Sequence, residues 1–261
     1  CISLIPEIAV KKREKSKKQQ LLLTNKRVDW GFKQSVQAAQ LRIEKQMEQE
    51  HKQVLLVSST LPQEGKSMTA VNLALAFMQH EKKTVLIDGD LRKPSVAEML
   101  GMEEQKGLAE YLKGNAKVKE VLQKKGDLTV IQGGKVHGNI SSLMDESRME
   151  ELMTFLKSEF DYVIIDTPPA YLFSDAAILA GYADRVLYVV RHDMAEIPQI
   201  EKGMESFIQE DKLLGYLINR SQKGFASYGK YGYGKYGYGK YGKYQRYVDV
   251  KEDDMDTEDS L

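Results

Sequence analysis

Among 261 residues there is one cysteine, Cys1. No internal disulfide framework is therefore available, and the chain suits a reducing compartment. No run of about 18 apolar residues occurs, so no stretch of this sequence reads as a membrane-spanning helix. A secretory-signal pattern is missing too. Nor is there an excess of charge. The 38 Lys plus Arg meet 38 Asp plus Glu, which points to no polyanionic partner and no nucleic acid. The charges are nonetheless unevenly placed. Residues 11–18 form a basic run and residues 249–261 are mostly acidic. Such runs read as solvated tails, and the basic one also as a juxtamembrane segment drawn to anionic lipid. The first residue is Cys rather than Met, which suggests a piece of a longer protein.

What is present starts at Val54-Leu55-Leu56-Val57, a buried strand that runs into a loop and then an apolar-periodic helix over residues 67–80. The loop carries Gly65-Lys66-Ser67 at the spacing of a phosphate-binding P-loop, with Thr60 standing where the first Gly usually is. Backbone N–H groups of such a loop curl around phosphate oxygens, and the helix behind points its positive end at them. Further Val/Ile/Leu strands are expected at residues 84–88, 128–132, 162–166, 185–190 and 214–218. Helical patterns lie between them, and residues 95–125 read as short helices broken by Gly101, Gly107 and Gly114. This alternation predicts an α/β fold of the P-loop NTPase type, a mostly parallel sheet with helices on both faces. Residues 30–53 read as an amphipathic helix with Phe32, Val36, Ala39, Ile43 and Met47 on one face. From residue 221 the composition changes to repeating Gly-Lys-Tyr-Gly-Tyr, which cannot build a core and is expected to be disordered. The expected organisation is a linker or juxtamembrane segment (1–29), one P-loop domain (30–220) and a tyrosine-rich, acidic tail (221–261).

Ligands of parallel sheets bind beyond the carboxyl ends of the strands. The P-loop, Asp88-Gly89-Asp90 and Asp166 all stand at such ends, so the topology itself gathers them. Asp166, after Val163-Ile164-Ile165, is expected to serve Mg²⁺, a hard cation that prefers oxygen. Asp88 and Asp90, two residues apart, place two negative charges side by side and raise the proton affinity of one of them. Arg92 is expected to meet either carboxylate or a phosphate.

Three blocks, residues 59–67, 85–92 and 163–168, resemble the Walker A, A′ and B motifs of bacterial protein-tyrosine kinases. The discriminating one is Val85-Leu86-Ile87-Asp88-Gly89-Asp90-Leu91-Arg92. The likeness extends from about Leu4 to Asn219 and is completed by the tyrosine cluster. By resemblance, Lys66, Asp88, Asp90 and Asp166 form the catalytic set, and Ser67, Asp90 and Asp166 the magnesium set. ATP would be held by Ser59, Thr60, Leu61, Pro62, Gln63, Glu64, Gly65, Lys66, Ser67 and Met68, with Arg92 nearby and Asn219 at the adenine. The phosphate acceptors would be Tyr228, Tyr231, Tyr233, Tyr236, Tyr238, Tyr241, Tyr244 and Tyr247. They lie roughly 9 to 28 residues beyond Asn219, a typical reach of roughly 15–32 Å, which permits transfer within or between subunits. The resemblance implies transfer to the tail of a neighbouring subunit.

It also implies a homo-oligomer at the cytoplasmic face of the bacterial inner or plasma membrane, acting in capsule or exopolysaccharide synthesis. The implied partners are a transmembrane polysaccharide co-polymerase that activates it, fused or separate, and a cognate tyrosine phosphatase. The Leu-Ile-Pro opening is similar to the segment directly behind a membrane helix in fused members. Two patterns depart from the family. In the oligomerisation helix only Arg42 survives of the charged positions, and the Pro-Asn-Pro segment is degraded to Val136-His137-Gly138-Asn139-Ile140. One rival reading is a Min/Par-type switch ATPase, but its second P-loop lysine is replaced here by Leu61. Another is a weakly catalytic scaffold that uses the tail for protein contacts.

Overall fold

The computed structural model describes residues 1–8, 21–136, 140, 143 and 147–221. The eight tail tyrosines, the acidic run, the basic run and residues 137–139 lie outside the described residues. The elements are β1 (Ser3–Pro6), α1 (Trp30–Gln49), β2 (Val54–Ser59), α2 (Lys66–Gln79), β3 (Thr84–Asp88), α3 (Val96–Leu100), α4 (Leu108–Leu112), α5 (Val118–Val121), β4 (Gln123–Lys125), β5 (Leu128–Ile131), α6 (Ser147–Glu159), β6 (Tyr162–Asp166), α7 (Asp175–Ala180), β7 (Arg185–Arg191), α8 (Ile197–Gln209) and β8 (Leu213–Ser221). They build an eight-stranded sheet in the order β1-β8-β7-β2-β6-β3-β5-β4. Every pairing is parallel except that of β4 with β5.

Because side chains of a strand alternate between faces, β2 feeds two cores. Leu55 and Val57 join the core under α1 and α2, whereas Val54 and Leu56 join the one under α4, α6, α7 and α8. This is why β2, β3 and β6 read as unbroken apolar runs rather than alternating ones. All three are buried throughout, and they end side by side in the middle of the sheet.

The expected face of α1 is buried at Phe32, Val36, Ala39, Ile43 and Met47. Its N-terminus is capped by Asp29, whose Oδ1 accepts the Phe32 N–H at 2.9 Å. It stops short of residue 53 because the chain must reverse into β2. His51 takes φ 54°, and the Lys52 N–H donates to the Met47 carbonyl at 2.8 Å. Arg42, the surviving charged residue of the oligomerisation pattern, donates to the Ile2 carbonyl of its own chain at 2.5 Å.

Two stretches differ from the sequence expectation. Residues 1–29 are not all linker: Ser3–Pro6 adds an edge strand beside β8, and Leu22 and Leu23 are buried in the first core. Within 95–125 the last three residues form β4, an antiparallel hairpin with β5 turning at Gly126, φ 59°.

The start of β2 is held by Asp184, whose Oδ2 accepts the N–H groups of Gln53 at 3.0 Å and Val54 at 2.8 Å. Burial alone would raise this carboxyl, but those two N–H groups and Lys157 outweigh it and hold it below the usual range. A depressed folded-state pKa stabilises above the unfolded value and is lost as pH falls through the folded one. Asp184→Asn is therefore expected to cost about 1–3 kcal/mol near neutral pH. In thermal melts the gap to the parent should close as pH drops below about 4.

Candidate active site

The loop between β2 and α2 is braced from three sides. Thr60 is fully buried, and its Oγ1 accepts the Tyr188 hydroxyl of β7 at 3.2 Å. The departure from glycine at this position is thereby given a partner. Glu64 is also fully buried; its carboxylate accepts the Leu61 N–H at 2.6 Å and the Arg191 N–H at 3.3 Å. Burial pushes this carboxyl above its usual range despite those donors. Asn219, at the end of β8, donates Nδ2 to the Glu64 carbonyl at 2.7 Å. Its amide lies so close to Gly65 that a Cβ there would stand 2.1 Å from Nδ2, and Gly65 itself has φ +99°. Behind this glycine α2 starts at Lys66 with no side chain capping it, so its first N–H groups face the loop. That is the arrangement an anion occupies.

Lys66 is the centre of the site. Its Nζ stands 2.8 Å from Asp90 Oδ2, 3.8 Å from Asp166 Oδ1 and 3.1 Å from Ser67 Oγ. Burial alone would lower its pKa, but the charges of Asp166 and Asp90 outweigh burial and raise it. Asp90 Oδ1 accepts the Lys93 N–H at 3.1 Å. Asp88 sits opposite Asp166 in the β3–β6 register. Its Oδ2 accepts the N–H groups of Ser95 and Val96, each at 2.9 Å, while Oδ1 accepts no hydrogen bond. Both oxygens of the fully buried Asp166 are likewise without a hydrogen bond. Burial raises the pKa of Asp88, with the Asp166 charge second; burial raises that of Asp166, with Lys66 opposing.

Gly89 lets β3 and β6 end this close. Its N–H donates to the Asp166 carbonyl at 2.8 Å, and a Cβ would lie 2.6 Å from that oxygen. Thr167 pins the next residue, donating Oγ1 to the Val57 carbonyl at 3.0 Å.

The structure thus brings Lys66, Ser67, Asp88, Asp90 and Asp166 together, with Asn219 against the loop. Arg92 goes elsewhere. Its guanidinium forms a two-pronged pair with Asp175 and lies 4.2 Å from the centroid of the Phe173 ring. Sequence reading singled out neither Asp175 nor Tyr188. An Asp in the first turn of a helix and a Tyr in a strand are ordinary, and only the packing of the loops gives them these partners.

With all three carboxylates ionised, they and the one ammonium would leave a surplus of two negative charges in a buried space, and burial opposes that by raising Asp88 and Asp166. The Asp166 oxygens accept no close hydrogen bond and the Lys66 ammonium stands 3.8 Å from Oδ1, so their burial is only partly compensated. A divalent cation fits that donor set of hard oxygens.

Residues 50–179 match the family described as ParA: NUBPL iron-transfer P-loop NTPase. Tyrosine-protein kinase CpsD of Streptococcus agalactiae is 35% identical over 69% of this chain and 80% of its own length. Tyrosine-protein kinase YwqD of Bacillus subtilis is 35% identical over 68% of this chain and 77% of its own. The chain belongs to the bacterial tyrosine-protein kinases. The kinase domain of Escherichia coli tyrosine kinase ETK shares the fold with a TM-score of 0.75, covering 91% of this kinase and 94% of that domain at 24% identity. The septum site-determining protein MinD of Pyrococcus horikoshii, complexed with Mg-ADP, superposes less well, with a TM-score of 0.56 over 64% of this kinase and 70% of that chain at 21% identity. Those two structures show the fold alone; the named tyrosine-protein kinase relatives are what favour the kinase reading over the switch-ATPase one.

Proposed function

We propose that this kinase transfers the γ-phosphoryl group of ATP to tyrosines of its own C-terminal cluster, chiefly on a neighbouring subunit. The observation that carries the reading is Lys66 standing between Asp90 and Asp166 at the uncapped start of α2. The loop N–H groups and Lys66 would hold the triphosphate, and Ser67, Asp90 and Asp166 would hold Mg²⁺. Bound there, Mg²⁺ supplies charge neutralisation on the phosphate oxygens. The tyrosine oxygen forms its bond to phosphorus as the bond to the ADP oxygen breaks, and the phenolic proton must leave. A phenol with a pKa of about 10 is a poor nucleophile while protonated. Asp88 is the acceptor we assign, since its Oδ2 is committed to α3 and its Oδ1 accepts no hydrogen bond. Lysines between the tail tyrosines would be drawn to this acidic site. We place the kinase at the cytoplasmic face of the membrane, working with a transmembrane co-polymerase in capsule or exopolysaccharide synthesis and reversed by a tyrosine phosphatase.

Incubation with Mg·ATP, followed by the mass of the tail peptide and a free-phosphate assay, tests the activity. Phosphotyrosine is expected on the tail. Free phosphate without phosphotyrosine would mark a switch ATPase, and neither product a scaffold.

A further inference from the structure

The A′ arginine is paired with a buried carboxylate, Asp175. Asp90 and Arg92 share one tight turn, closed by the Lys93 N–H on both the Asp90 carbonyl and Oδ1, each at 3.1 Å. From that turn Arg92 reaches across to Asp175, the first residue of α7, and stacks on Phe173 just before it. Asp175 is fully buried. The segment from Asp166 to Asp175 is the loop that leaves the Walker B strand, so the pair ties the Asp90 turn to the Asp166 loop. A second tie lies behind it. A Cβ on Gly89 would meet Leu179 Cδ1 of the same α7 at 2.9 Å and the Asp166 carbonyl at 2.6 Å.

We infer that Arg92, Phe173 and Asp175 form a clamp that sets the spacing of Asp90 and Asp166 across Lys66, making Arg92 a positioning residue and not a phosphate ligand. The guanidinium suits the task because its planar fork meets a carboxylate with two parallel bonds and its face stacks on a ring. A lysine keeps the charge but neither the fork nor the stacking. Two carboxylates that share a cation must be held to a fraction of an ångström, and misplacement by about 1 Å can cost on the order of 10²-fold in rate. The inference rests on the proposed metal role of Asp90 and Asp166.

The test uses the full chain with Arg92→Lys, Asp175→Asn and both together. The readouts are kcat and KM for ATP in tail phosphorylation, the Mg²⁺ concentration for half-maximal rate, and ADP affinity with Mg²⁺ or with a chelator. Each single variant is expected to lower kcat and raise the half-activating Mg²⁺ by roughly tenfold or more. ADP affinity in chelator should stay within about twofold. The double variant should match the singles, because residues of one unit do not add. Phe173→Leu, which spares the ion pair, should shift the same readouts less and keeps the test open if Asp175→Asn fails to fold.

Two results would overturn the clamp. One is a loss of chelator-state ADP affinity in Arg92→Lys but not in Asp175→Asn, which would make Arg92 a phosphate ligand. The other is a lowered melting temperature with kcat and Mg²⁺ activation unchanged, which would make the pair merely structural. Should the parent chain form no phosphotyrosine, the Mg²⁺-dependent part of ADP affinity still decides the clamp, separately from the kinase reading.

Discussion

Lys66→Met is expected to lower tail phosphorylation by roughly 10²–10³-fold or more while the domain stays folded. The ammonium has two tasks in this geometry. It would neutralise the transferring phosphoryl group, and from 3.8 Å its charge opposes the burial that raises Asp166. Without it, buried carboxylates shed charge by taking up protons. Burial already raises Asp88 and Asp166, so this response is close at hand. The fold is then expected to survive, while the proposed metal ligands and the phosphate's counter-charge would be lost. Rates of phosphotyrosine formation, with circular dichroism as the fold control, check the expectation. A folded variant that labels its tail at the parent rate would refute it.

Gly65→Ala should lose ADP affinity by roughly 10²-fold, through two separate faults. At φ +99° a side chain is strained by about 1–3 kcal/mol wherever it points. The new Cβ would also stand 2.1 Å from Asn219 Nδ2, the group that holds the loop at the Glu64 carbonyl. Pairing Gly65→Ala with Asn219→Ala removes the collision and leaves the strain, so in calorimetric titration with ADP, measured against Asn219→Ala alone, affinity should recover only in part. Full recovery would mean that the backbone angle is unimportant; no recovery would mean that the collision is.

The parts of this kinase that could be read in advance share one property: they are local. β2, β3 and β6 are buried on both faces, so their residues are apolar without interruption and need no partner to be recognised. Lys66, Asp90 and Asp166 then follow from strand ends and spacing alone. β4 could not be read because three residues with two lysines carry no period, and it is a strand only beside β5. β1 is legible as extended chain but not as part of the sheet, since its partner β8 lies at the far end of the domain sequence. The same limit applies to side chains. Arg92 shows its charge in the sequence, but Asp175 and Phe173 reach it only through the path of the loop after β6. Tyr188 and Thr60 meet only because β7 pairs with β2.

The most direct measurement separates donor from acceptor. One chain carries Phe at all eight tail tyrosines and an intact Lys66; the other carries Lys66→Met and an intact tail. The two are mixed with Mg·ATP, and the tail peptide of the second is weighed. Phosphate on that peptide's tyrosines, and none on either chain alone, is the predicted result. An unlabelled peptide in a mixture whose first chain demonstrably binds ATP, or equal labelling when the second chain is incubated alone, would contradict it.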